Sequence, residues 1–221
     1  MKRMFVLAIP VLLLFSCKKE NTFPQVETIT RGSKWNLRIG SSSADVYTQL
    51  QQLGKEKDFY DVAVNQQPVS SLQEIQHRFE FYHAITLETK TGALDRVIIQ
   101  LGQDKINSIE AGGALPDEIP KWPQNASDNM AIKKGDPITG IYDKLLAIYK
   151  MPAYGNYRII LSDKPLDKPF DPNMVNYEEW GFSFFVDVKP GKSGRFSVIL
   201  NFKNGELNKI TNEYSEFDVY N

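Results

Sequence analysis

Cysteine is almost absent from this chain. Cys17 is the only one in 221 residues, so no internal disulfide is available and the mature fold must stand on its buried core. Histidine is nearly as scarce, with only His77 and His83. On one extended strand these two would stand about 20 Å apart at ~3.3 Å per residue, too far to share a metal ion. The HExxH, CxxC, GxSxG, P-loop and dinucleotide patterns are all missing, which removes the recognisable zinc, redox, nucleophile and nucleotide chemistries. No basic block or arginine-rich stripe interleaved with aromatics offers a counter-surface to a phosphate backbone, so nucleic acid is not an expected partner. Carboxylate pairs of the glycosidase type leave no spacing signature among the 27 acidic residues, so a hydrolase stays open on that ground alone.

Long hydrophobic runs are also lacking, with one exception. After Lys2 and Arg3, residues Met4 to Phe15 are apolar apart from Pro10 as a breaker. Such a run reaches about 18 Å as a helix, against roughly 30 Å for a bilayer core, so residues 1–16 read as a targeting signal rather than a span. The following Leu14-Phe15-Ser16-Cys17 resembles the lipobox of bacterial lipoproteins. That resemblance implies cleavage before Cys17, a diacylglycerol on its thiol and an acyl chain on its new amino group, enough chains for stable anchoring. The absence of Asp after Cys17, where Lys18, Lys19 and Glu20 stand, implies the outer membrane, and Lys-Lys-Glu is similar to surface-export signals of some Gram-negative groups. A lipid anchor facing the periplasm or the cell surface is the resulting expectation; the alternative is an ordinary secretory signal with Cys17 incidental. Taking Lys2 and Arg3 from the 26 basic residues and setting the rest against 27 acidic ones leaves the mature chain at a formal charge of −3.

Residues 17–33 are polar and read as a tether, with the ordered domain starting near Trp35. Beyond it the chain repeats itself. At an offset of 95, Gly40, Val46, Tyr47 and Leu50 meet Gly135, Ile141, Tyr142 and Leu145. Both copies carry helix-start chemistry, Ser42 three before Asp45 and Asp136 before Pro137, with apolar residues at helical spacing behind it. Gly54 and Pro152 are the expected stops. At an offset of 101, Phe79, Phe81, His83, Ile85 and Leu87 meet Trp180, Phe182, Phe184, Val186 and Val188, then Val97, Ile99 and Leu101 meet Val198, Leu200 and Phe202. These alternations predict strands, and Asn204-Gly205 is a hairpin signal. With short strands at 59–64 and 157–161, the expected fold is α+β: two tandem repeats, each a helix packed on a four-stranded antiparallel sheet. The first spans 34–110 and the second 131–221, with a Gly/Pro-rich linker at 111–130 and a loop insertion at 163–176.

Helix-start Gly, amphipathic helix, aromatic-opened strands and the closing Asn-Gly hairpin together resemble the small outer-membrane lipoproteins of the barrel-assembly machinery. A tandem pair of such units is similar to the β-lactamase-inhibitor-protein-like fold, and the resemblance covers most of residues 34–214. It implies protein binding, or a structural and assembly role at the outer membrane, rather than catalysis. The chain departs from the inhibitor in lacking its cysteines and from the assembly lipoproteins in being duplicated.

Candidate site residues follow from strand parity. His83 shares the phase of Phe79, Phe81 and Ile85 and reads as a core histidine. Asp163, Asp167 and Asp171 recur in the Pro-rich insertion; their spacing is not that of an EF-hand, and a solvated loop is the expectation over a calcium site. Tyr82, Ala84 and Ile98 in the first repeat, and Phe185 and Ile199 in the second, are apolar but out of phase with the core. If the two sheets join side by side, Tyr82, Ile98, Phe185 and Ile199 form an exposed stripe of the kind that marks a partner site; scattered surface residues are the plainer alternative. The expected function is therefore that of a membrane-anchored, non-enzymatic lipoprotein binding a protein partner, with no cofactor and no metal.

Overall fold

The computed structural model describes residues 23–64, 69, 71–89, 92–113, 115–161 and 163–219, with backbone only at 92–95. The expected signal segment, Cys17 and residues 17–22 of the expected tether lie outside the described residues. Among the described residues no helix is long and apolar enough to cross a membrane.

The first strand, β1 (Gln25–Ile29), lies inside the segment expected to be a tether. Helix α1 (Ser43–Lys57) follows, with Ser42 at its N-cap accepting from the Asp45 N–H at 3.2 Å. Its stripe of Val46, Tyr47, Leu50 and Leu53 is buried, as the helical spacing requires. The helix runs three residues past Gly54 and ends on Asp58 in the left-handed conformation. Strand β2 (Asp61–Val64) comes next, then two 3-10 turns at Leu72–Ile75 and Phe79–Phe81. A meander follows: β3 (Ala84–Thr89), β4 (Gly92–Leu101) and β5 (Ile106–Gly112), with a short edge β6 (Asp117–Glu118). Helix α2 (Ile141–Tyr149), β7 (Tyr157–Leu161), the short β8 (Lys164–Pro165) and the long meander β9 (Glu179–Lys189), β10 (Lys192–Lys203) and β11 (Glu206–Asp218) complete the chain.

The expected pair of tandem helix-on-sheet repeats does not form. Among the described residues strand outweighs helix by 46 % to 21 %, and the strands are shared between the halves of the sequence. One sheet has six strands in the order β1-β11-β10-β9-β2-β8 and a second has five, β7-β3-β4-β5-β6; two short ladders pair Ser33–Lys34 with Leu37–Arg38 and Lys121–Trp122 with Ile132–Lys133. The strand after each helix thus joins the other half's meander. Val64 of β2 pairs with Trp180, and Leu161 of β7 pairs with Ile85. The cores divide the same way. Val46, Leu50 and Leu53 of α1 pack with Trp180, Phe182 and Leu200, whereas Ile141, Leu145 and Ile148 of α2 pack with Ile85, Leu87 and Ile99.

Each helix start is tied to the opposite meander by one reciprocal pair of bonds. The Gly40 N–H donates to the Leu207 carbonyl at 2.8 Å and the Leu207 N–H returns to Ser41 at 2.9 Å; Gly135 and Asp136 make the same exchange with Ile106, at 2.9 Å both ways. Gly40 and Gly135 take φ of 89° and 88°, a left-handed conformation that glycine adopts without steric cost. Like apolar faces on the two helices and like meanders leave the pairing degenerate, and the connections decide it. The chain leaves the six-stranded sheet at Val64 and is already bridged to Ile159 of the five-stranded one at Val69, and it returns between Leu161 and Lys164, which pairs with Val62.

Register also corrects the alignment. Ile85 faces Ile99 where Trp180 faces Leu200, so the first meander strand keeps the offset of 95 and the change to 101 falls in the hairpin after it. The expected strand at 79–83 is a 3-10 turn matching the turn at Pro172–Asn176, and Tyr82 is the counterpart of Tyr177. The expected linker at 111–130 contributes Ile119 and Trp122 to the core.

Candidate functional site

Where the two connections cross, the structure buries charge. Arg78 and Asp171 are both inside, with Arg78 Nε and Nη2 donating to one Asp171 oxygen at 2.9 and 2.7 Å. The Tyr82 hydroxyl donates to the same oxygen at 2.7 Å, and Arg78 Nη2 reaches the Tyr82 and Tyr177 hydroxyls at 3.2 and 2.9 Å. The second Asp171 oxygen accepts from the Asn173 N–H at 2.9 Å. Burial pulls the Arg78 guanidinium toward neutrality, but Asp171 outweighs it and holds the charge above its ordinary range; burial, and then Asp171, push the Tyr82 hydroxyl well up. A buried pair held by several hydrogen bonds, here on Arg78 Nε and Nη2 and on both Asp171 oxygens, is the case in which desolvation is offset.

Beside it, Lys164 is fully buried and makes no ion pair among the described residues. Its ammonium donates to the Tyr47 hydroxyl at 2.7 Å and to the Pro165 carbonyl at 3.0 Å, and lies 4.8 Å from the Tyr47 ring centre. Burial lowers its pKa from 10.5 to about 8. Tyr47 donates onward to Pro165 at 2.6 Å and is itself pushed up by burial, then by Asp167 and Asp61.

Outside this cluster a cleft of about 370 Å³ opens between the end of α1, the approach to β2 and the segment after β8. Phe59, Pro165 and Leu166 wall it, and Gly54 lets the walls close up. A Cβ built there would lie 2.6 Å from the Phe59 carbonyl oxygen and 2.7 Å from Leu166 Cδ1. The rim carries Lys55, Tyr60, Asp61, His83 and Asp167. His83 Nε2 sits 2.8 Å from an Asp167 oxygen. Asp61 is raised above the ordinary carboxylate range by partial burial, then by Asp163 and Asp167, against the opposing pull of His83 and Lys164.

A second feature is the outer face of the six-stranded sheet. Phe185 is 61 % and Ile199 41 % exposed, and the face also exposes Phe217 and Val26. Phe185 and Phe217 meet edge to face at 6.1 Å, and the Arg195 guanidinium stands 6.0 Å over the Phe185 ring. Between these groups and β2, Ala63, Gly181, Ser183 and Ser197 floor a shallow groove.

Of the residues expected at a partner site, Phe185 and Ile199 are on the surface. Tyr82 is 0 % exposed, because the 3-10 turn before it breaks the strand parity that pointed it outward. Ile98 is half-buried on the other sheet, facing Thr86 and Glu110. The two sheets do not join, so the four residues do not form one stripe. His83, expected in the core, is on the rim because it precedes the strand. The aspartates expected in a solvated loop separate: Asp163 and Asp167 are exposed, and Asp171 is buried. Among the described residues no cluster of three or more His, Cys, Asp or Glu is placed to hold a metal ion. The crossing cluster and the cleft escaped the sequence reading. Their one local sign was Asp171-Pro172, the N-cap and first residue of a 3-10 turn.

No protein-family model, no curated protein and no solved structure matches the chain.

Proposed function

We propose that this chain is a lipoprotein of the outer membrane, anchored through lipid on Cys17 and facing the periplasm or the cell surface. Its role is non-enzymatic, binding a protein partner through the outer face of the six-stranded sheet. The observation that carries the reading is that face: Phe185, Ile199, Phe217 and Val26 are exposed on it. Large apolar side chains grouped on an open sheet, with an arginine among them, have the composition of interaction patches.

The test places a photo-crosslinking residue at position 185 in the full-length protein on native membranes, and at Gln52 on the exposed side of α1 as a control. A discrete adduct at 185, absent at 52 and abolished by Ile199→Ser, is the expected result. Identical adducts at both positions, or none at 185, overturn the sheet-face assignment. Palmitate labelling is expected in the wild-type chain and lost in Cys17→Ala, which also leaves the membrane fraction. Labelling that survives the substitution removes the anchor from the proposal.

A further inference from the structure

The cleft at the junction combines apolar walls with a charged rim, and its chemistry has a direction. Its walls are apolar, from Phe59, Pro165 and Leu166, and His83 reaches its rim from the other half of the fold. A volume of about 370 Å³ lies in the range of small-molecule sites, roughly 300–1,000 Å³, which favour junctions between folding units. Negative charge prevails at the rim. Asp167 is engaged by His83, whereas Asp61 makes no side-chain hydrogen bond among the described residues; burial first, then Asp163 and Asp167, oppose its ionisation, and His83 and Lys164 offset this only in part. Lys55 is the one lysine on the rim, and it is not among the charges that dominate at Asp61. A cation beside Asp61 would relieve this repulsion, and an aliphatic body behind it would cover Phe59 and Leu166.

We propose that the cleft between α1, β2 and the segment after β8 binds a small organic amine, its ammonium group set against Asp61 and its aliphatic part against Phe59 and Leu166. Recognition is two-part: the carboxylates select positive charge, and the walls select an apolar body over a bare cation. The site adjoins the sheet-face groove, with which it shares Phe59, Tyr60 and Asp61, but neither Phe185 nor Ile199 lines it, so Phe185→Ser with Ile199→Ser leaves it intact.

Hexylammonium, hexanol, hexanoate and ammonium chloride, titrated into the full chain at fixed ionic strength and followed by the Leu166 methyl and His83 ring NMR signals, test the proposal. Hexylammonium is expected to bind about tenfold more tightly than hexanol, with hexanoate weaker than both and ammonium leaving the Leu166 methyls unmoved. Asp61→Asn, an exposed position whose substitution spares the core, is expected to bring hexylammonium down to the hexanol affinity without changing hexanol. Equal binding of hexylammonium and hexanoate, an unchanged preference in Asp61→Asn, or equal shifts with ammonium chloride each overturn it. The last result would assign the charge to the surface field alone.

Discussion

Lys164 is the residue whose environment is least balanced. It is wholly buried, and among the described residues its ammonium has only the Tyr47 hydroxyl and the Pro165 carbonyl as acceptors. Its pKa falls from 10.5 in the unfolded chain to about 8 in the fold. Below pH 8 both states carry the proton and the fold bears the full desolvation cost. Between about pH 8 and 10 the unfolded state binds more protons than the folded one, so stability from this group rises with pH. Above that range Tyr47 and Tyr82, held up chiefly by burial, reverse the sign: the unfolded chain ionises its tyrosines first. Lys164→Met keeps the length of the side chain and removes the charge, and the Tyr47 hydroxyl retains the Pro165 and Lys168 carbonyls. The variant is therefore expected to match or exceed the wild type at neutral pH and to lose the rise, which is on the order of 3 kcal/mol at full extent. Urea unfolding at a series of pH values reads both effects. A variant that is markedly less stable at neutral pH and still shows the rise assigns the titration elsewhere.

At the scale of elements, the end of α1 separates helix propensity from packing. Alanine at an interior helix position is favoured over glycine by about 1 kcal/mol, and Gly54 is in the helix rather than at its stop. A methyl at this position meets the Phe59 backbone and Leu166 within 2.7 Å, and neither can withdraw without opening the cleft wall. Gly54→Ala is expected to lower stability by about 1 to 3 kcal/mol despite its better propensity. Gln52→Ala, on the exposed side of the same helix, is expected to be close to neutral. Thermal melts of the two variants compare them directly, and a stabilised Gly54→Ala would mean the wall is loose. This helix also marks what the sequence disclosed. Ser42, Val46, Leu50 and the meander alternations carry their signals locally, through capping and periodicity, and α1 and the meander strands from Ala84 onward lie where those signals place them. Partner choice between helix and meander has no local signal when two copies share one pattern. Tyr82 and His83 were misplaced because a 3-10 turn has neither a period of two nor one of 3.6. The burial of Asp171 depends on Arg78, 93 residues away in sequence, and no spacing rule reaches that far.

For the whole molecule, the exchange between halves has a second description. Residues 69–161 hold β3 to β7 and α2 and form one core by themselves; α1, β2 and β8 to β11 form the other. The first unit leaves and returns through a narrow neck. Val62 pairs with Lys164 and Asp61 with Pro165 on one side of it, and Val69 bridges Ile159 on the other. The fold is therefore one unit inserted into a surface hairpin of another, an arrangement that neighbouring chain ends permit. Contacts across the junction are mostly polar, with Arg78, Tyr82 and His83 on the inserted side and Asp171, Tyr177 and Asp167 on the other. Separation would return these groups to water, which satisfies them, rather than leave them buried and unpaired. Two fragments are accordingly expected to fold on their own: residues 69–161, and residues 23–64 joined to 163–219 through a short Gly/Asn turn. Each is expected to unfold cooperatively with dispersed amide spectra, and the intact chain to exceed both in stability through the Arg78–Asp171 contact. Under the tandem arrangement the opposite holds. Residues 34–110 would then fold alone, whereas the crossed pairing leaves α1 and β2 in that fragment without the meander they cover, and the fragment is expected to be unfolded.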